Sequence, residues 1–191
     1  MVEERAVDAL IQNIKELVQA IDDCLERDWL LPCLSLLYTG IDVIASLERQ
    51  PEEEVRKSFT RWADRYVVWQ TELHVTALEL YGARCGILHT FTAQSSLHAH
   101  DQVRQVYYAW GSARPEKLQK ALDSLGKPAT AVHVRDVVEA FRCGVATYLD
   151  ELASDVRRRQ SIAPRIGLWF QHTQPGLVDA FNAASDTDGV A

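Results

Sequence analysis

The chain has 191 residues, 47% of them apolar and 25% charged, with only nine glycines and six prolines, which is the make-up of a globular protein and excludes disordered and fibrous classes. A formal net charge of −7 excludes a broad electropositive surface for duplex DNA, so any nucleic-acid contact has to be local. One domain is expected over residues 1–175, large enough to close a core without disulfide or metal, followed by a polar tail over 176–191 that frays.

The first periodic segment carries Val7, Leu10, Ile14, Leu17, Ile21 and Cys24 at steps of three and four, which is one stripe of a helix over about residues 2–27. Asp28 is then placed to cap a second helix, with Pro32 in its first turn and Leu30, Leu34, Leu37, Ile41 and Ile44 as its stripe. The two are expected to pack antiparallel. Between Leu30 and Leu47 the only charged side chain is Asp42, so the segment is long and apolar enough to be weighed as a membrane span. The punctuation by Pro32, Ser35, Thr39, Gly40 and Asp42 favours a core helix instead.

A third helix is expected from near Pro51, with Glu52, Glu53 and Glu54 at the positive end of its dipole and Val55, Phe59, Trp62, Tyr66 and Trp69 as its apolar face. Those glutamates invite comparison with the magnesium-binding carboxylates of all-helical nucleoside-triphosphate pyrophosphatases, yet three consecutive side chains diverge on a helix. The fourth segment, about 71–92, is apolar on two sides, which places it in the middle of a bundle. Its row of Gly82, Gly86, His89 and Ala93 permits close approach of a backbone or a ligand.

From residue 94 to about 130 an irregular insert is expected. Gln102 to Trp110 reads equally as a strand or a helical turn, Pro115 opens a short helix to about Leu122, and Gly126 with Pro128 makes a turn. A last long helix follows from about Val132 to Arg159, with Val134, Val138, Phe141, Val145, Tyr148 and Leu152 facing inward. The fold class is therefore all-α, an antiparallel bundle of about five main helices. The basic cluster Arg157, Arg158, Arg159 and Arg165 reads either as a complement to a helix dipole or as a local phosphate-contacting patch.

Cys24, Cys33, Cys85 and Cys143 are widely spaced and read as small buried apolar groups, in keeping with a reducing, cytoplasmic setting. The residues after Met1 are acidic and carry no basic-then-apolar leader. His98, His100 and Asp101 offer a thin metal signal that a solvated loop explains equally, and His74, His133 and His172 stand alone. No cofactor, metal, nucleophile-elbow or phosphate-loop motif is found, so none of these is expected.

The segment Tyr81-Gly82-Ala83-Arg84-Cys85-Gly86-Ile87-Leu88-His89 remains. Arg84 interrupts the core-facing row of Leu80 and Ile87, so its charge requires a carboxylate, a backbone acceptor or a phosphate. His89 is of the one type that takes and gives a proton near neutrality. Together they supply what RNA transesterification needs: an acid, a base and a fixed cation for the phosphorane-like transition state.

Here the chain resembles the HEPN superfamily (higher eukaryotes and prokaryotes nucleotide-binding), whose catalytic members carry an Arg, four to six residues, then His near the end of a bundle helix. The resemblance covers residues 1–93 and the last long helix. It implies a homodimer lining one cleft with both motifs, acting as a metal-independent ribonuclease in toxin–antitoxin or defence systems, with an antitoxin as a further partner. Arg84 then binds phosphate and the transition state, His89 is the general acid/base, and Tyr81, Gly86 and Ser95 border the substrate. Cys85 departs from the polar residue common after the motif arginine. Residues five apart also point about 140° away from each other on an ideal helix. A non-catalytic helical dimer or adaptor is the alternative from another class.

Overall fold

The computed structural model describes residues 2–69, 73–92, 97, 103–126 and 128–168. Ser95, the His98–Asp101 segment, His172 and the tail over 176–191 lie outside them. The protein is mostly helical. In chain order the described elements are α1 (Val2–Glu26), α2 (Leu30–Leu47), α3 (Val55–Ala63), a π-helical turn (Asp64–Val68), α4 (Ala77–Thr90), β1 (Gln105–Ala109), α5 (Pro115–Ser124), β2 (Ala129–His133), α6 (Val134–Ser154) and α7 (Val156–Ile166). The expected all-α class mostly fits, with one small pair of strands added, the first of them where Gln102 to Trp110 reads equally as strand or helical turn.

The expected stripe of α1 is the buried one: Leu10, Ile14, Ile21 and Cys24 are inside and pack on α2 and α7. Asp28 does not cap α2. Its φ of 55° puts it in the left-handed region, which Asp tolerates, and it closes the end of α1 while Trp29 takes the N-cap position without a side-chain bond. α2 passes the length and composition test for a membrane span, but half of it is buried within the protein, where Cys33, Leu37, Tyr38, Ile41 and Ile44 meet α1, α3, α4 and α6.

Pro51 opens a turn, not a helix. Glu52 sits at φ 65°, and Glu53 Oε2 accepts from the Gln50 backbone N–H at 2.9 Å, so helical geometry begins only at Val55. Phe59, Trp62 and Tyr66 are buried as expected, whereas Trp69 is 85% exposed because the π turn, closed by Trp69 N–H to Asp64 O at 2.9 Å, alters the helical phase. The turn also brings the Tyr66 carbonyl against α6. A Cβ at Gly144 would lie 2.2 Å from Tyr66 O, so only glycine allows this approach.

β1 and β2 pair in parallel, Gln105 opposite Ala129 through Ala109 opposite His133, with α5 as the crossover. The Gln119 side chain of α5 bonds β2 as a short mimic of a third strand, donating to Ala129 O at 3.2 Å and accepting from Ala131 N–H at 2.8 Å. The expected single last helix is two. Asp155 leaves the helical region (φ −115°, ψ 96°), and its carboxylate accepts from Arg158 N–H at 3.0 Å, ending α6 and capping α7. The centre of the core is aromatic, with Trp62 against Tyr66, Phe141 and Tyr148 at centroid distances of 5.2–6.3 Å.

Candidate functional site

α4 starts at a reciprocal capping box. Thr76 Oγ1 accepts from Glu79 N–H at 3.2 Å, and Glu79 Oε2 accepts from Thr76 N–H at 2.7 Å. Glu79 is buried, and Arg104, just ahead of β1, donates to it from Nε at 2.5 Å. Burial by itself would raise the Glu79 pKa, but the bonds from Arg104 and Thr76 outweigh it and hold the carboxyl below its ordinary value. This start fixes the axis and rotation of α4, and with them the direction of Arg84.

Arg84 finds the carboxylate that its place on a core-facing row demanded. Asp42 Oδ2 lies 2.6 Å from Nε and 2.5 Å from Nη2, joining α4 to α2, and the two side chains are only 15% and 17% exposed. Burial opposes the guanidinium charge, yet the Asp42 hydrogen bond and charge raise the Arg84 pKa above its usual value. The guanidinium carbon also stands 5.8 Å from the Tyr81 ring centroid, and that ring packs edge-on against Phe59. Among the described residues Asp42 Oδ1 is buried without a hydrogen-bond partner, so the carboxylate bonds the arginine through Oδ2.

The third guanidinium nitrogen faces outward. Arg84 Nη1 is 3.0 Å from His89 Nε2, and the imidazole is exposed. The angular mismatch of residues five apart is bridged by the length of the arginine side chain, without a second chain. A guanidinium has no acceptor, so His89 Nε2 takes the acceptor role. Cys85 Sγ lies 3.9 Å from the same nitrogen, a weak contact where a harder polar group was the expected neighbour.

Past His89 the helix closes in a left-handed cap. Phe91 has φ 51° and is 70% exposed, and Thr92 N–H reaches back to Gly86 O at 3.2 Å. Thr90 Oγ1 donates to the same carbonyl at 2.8 Å. Gly86 is therefore buried with its carbonyl engaged, and of the three expected substrate-bordering residues only Tyr81 stands beside the Arg84 guanidinium among those described.

A cavity of about 800 Å³ opens elsewhere, between α5, β2 and the segment before α4, and its lining includes His74, Arg104, Lys120, His133 and Asp136. Neither histidine has a partner legible in the sequence, because the pairing of β1 with β2 that groups them is not a local signal. Their atoms are in structural use: His74 O accepts from Thr130 Oγ1 at 2.8 Å, and His133 Nδ1 accepts from Arg135 N–H at 3.2 Å as the cap of α6. Among the described residues no three His, Cys, Asp or Glu side chains are grouped to hold a metal ion. Comparison with protein-family models, with curated proteins and with solved structures gave no match.

Proposed function

We propose that this chain is a HEPN-like RNA- or nucleotide-binding protein and that its α4 motif is a metal-independent endoribonuclease site of the toxin–antitoxin or defence type. The observation that carries the reading is the 3.0 Å approach of Arg84 Nη1 to His89 Nε2 at the exposed end of a guanidinium anchored by Asp42. A neutral imidazole with a lone pair on Nε2 is in the state a general base needs. It takes the 2′-hydroxyl proton as the 2′-oxygen attacks phosphorus. Nη1, released from the imidazole, turns to the non-bridging phosphate oxygens, and Asp42 acts as the positioning residue behind it.

The departing 5′-oxygen needs a proton from an acid. A homodimer with both motifs facing one cleft provides it from the second histidine in its protonated, imidazolium form, which ends neutral as the first ends protonated. The same reading places the protein in the cytoplasm, away from membranes, as an antiparallel helical bundle able to engage a protein antitoxin. The contact with Asp42 supports a second reading: two of the three guanidinium nitrogens are committed to Asp42 and the third meets His89 of the same chain, which is how an arginine is held in a non-catalytic dimer or adaptor.

Cleavage of a generic RNA in the presence of EDTA separates the two. Because His89 is exposed, His89→Ala leaves the fold intact, and a loss of roughly a hundredfold or more is expected if the imidazole is the base. Equal cleavage by wild type and variant, or none by either, ends the catalytic reading.

A further inference from the structure

Three arginines from two helices converge on the C-terminal end of α2. Arg61 of α3 donates from Nη2 to Glu48 O at 3.2 Å, and Arg165 of α7 donates from Nη1 to Leu47 O at 2.6 Å and Ser46 O at 3.5 Å. Arg158 of α7 bonds the Glu48 carboxylate, Glu151 at 2.9 Å and the Tyr66 hydroxyl at 2.7 Å. All three line a cavity of about 500 Å³ together with Glu48, Gln50 and Ser161.

The negative end of the α2 dipole explains why guanidiniums gather here, but not why they line a cavity. The helix end engages one nitrogen of Arg165 and one of Arg61. The nearby carboxylates are already engaged: Glu48 with Arg158, Glu53 with Arg61, and Glu151 with Arg158 and Arg65. Among the described residues Arg165 has backbone acceptors and no acidic partner. Arg61 and Arg165 hold neighbouring carbonyls, so two like charges stand side by side at the cavity wall. Glu53 balances Arg61, and Glu48 with Glu151 balances Arg158 and Arg65, so the uncompensated charge at the wall is that of Arg165. Such an arrangement is relieved by an anion that accepts from several planar donors at once.

We propose that this cavity is a binding site for the phosphate monoester group of a small molecule, with Arg165 and Arg61 as its principal donors. The three terminal oxygens of a phosphate monoester accept from the forked donors of Arg165 and Arg61 at once, which suits these donors better than the two oxygens of a carboxylate do. The volume lies within the range of small-molecule pockets and leaves room for the group that bears the phosphate. Neither Arg84 nor His89 lines this cavity, so the inference stands apart from the ribonuclease reading.

Calorimetric titration with adenosine 5′-monophosphate, inorganic phosphate and acetate at matched ionic strength tests it. Saturable binding of both phosphates with at least tenfold weaker acetate binding is expected. Arg165→Gln should weaken adenosine 5′-monophosphate at least tenfold, and the exposed Arg157→Gln less than twofold. Since Arg165→Gln also removes a helix-end contact, the wild-type protein supplies an independent readout: the side-chain Nε–H resonances of Arg61 and Arg165 should shift on titration. No saturable phosphate binding, acetate binding of equal strength, equal effects of the two substitutions, or unmoved arginine resonances would each overturn the assignment.

Discussion

Asp42 Oδ2 and Arg84 Nε, 2.6 Å apart, tie the middle of α2 to the middle of α4 through the only charged side chain that α2 possesses. Removing one member of so sheltered a pair strands the other. Asp42→Ala is therefore expected to destabilise the protein by about 3 kcal/mol, read as a lower urea midpoint with an unchanged slope. Arg84→Met together with Asp42→Leu should recover most of the loss, because a packed apolar pair replaces the ionic one. If the single and double variants unfold at the same midpoint, the pair has no structural weight.

The contact of Gly144 with the π turn sets a second expectation. A methyl group at Gly144 meets a backbone carbonyl, which cannot rotate away, whereas at Gly40 it meets only Leu17 Cδ2 and Phe141 Cζ at 2.8 Å. Gly144→Ala should cost about 3 kcal/mol, at the upper end for overpacking, and Gly40→Ala about 1 kcal/mol once side chains shift and helix propensity is regained. Thermal and urea midpoints of the two variants give the order, and the reverse order would contradict the close approach.

Tyr38 and Tyr108 share a hydroxyl–hydroxyl bond that joins α2 to β1. Burial raises both phenol pKa values, that of Tyr108 strongly, so the bond holds as a neutral pair through the physiological range. Tyr108→Phe leaves the Tyr38 hydroxyl buried and alone, at a cost of about 1–2 kcal/mol, while the double change to Phe should be milder than the two single costs added together. A double-mutant cycle by denaturation measures the coupling, and strict additivity would refute it.

Acid sensitivity follows from Glu79. Its folded pKa lies below the ordinary 4.5, so the stabilisation is present above that value and fades as pH falls through the folded pKa. Wild-type stability should decline from about pH 5 downward, with Glu151 and Glu53 contributing in the same direction. Glu79→Gln should be less stable at pH 7 and show a shallower loss below pH 4.5. Parallel curves for the two proteins, from urea midpoints across pH, would assign the acid loss to other groups.

The helical faces were legible because they rest on local spacing: Leu10, Ile14 and Ile21, then Leu34, Leu37, Ile41 and Ile44, are buried as their periodicity requires. The demand that Arg84 find a partner was legible too, but Asp42 as that partner depends on how α2 and α4 pack. Errors fell where two local signals competed. Asp28 suits both an N-cap and a left-handed position, and the chain uses the second. Pro51 suits a first helical turn, yet the bond between Gln50 and Glu53 holds it in a turn. Val132 reads as helix from the sequence although it sits in β2, because five residues of Ala, Thr, Val and His carry no period that outweighs the helix beginning at Val134.

The parallel pair also orders the events of folding. Gln105 cannot register against Ala129 until the intervening chain, α5 included, has closed its loop, whereas α1 and α2 are joined by a short turn and meet early. The Glu79–Arg104 and Tyr38–Tyr108 contacts fasten β1 to α4 and α2. Nascent chains halted before β2 would also lack α6 and α7, and with them Phe141 and Tyr148 of the aromatic centre.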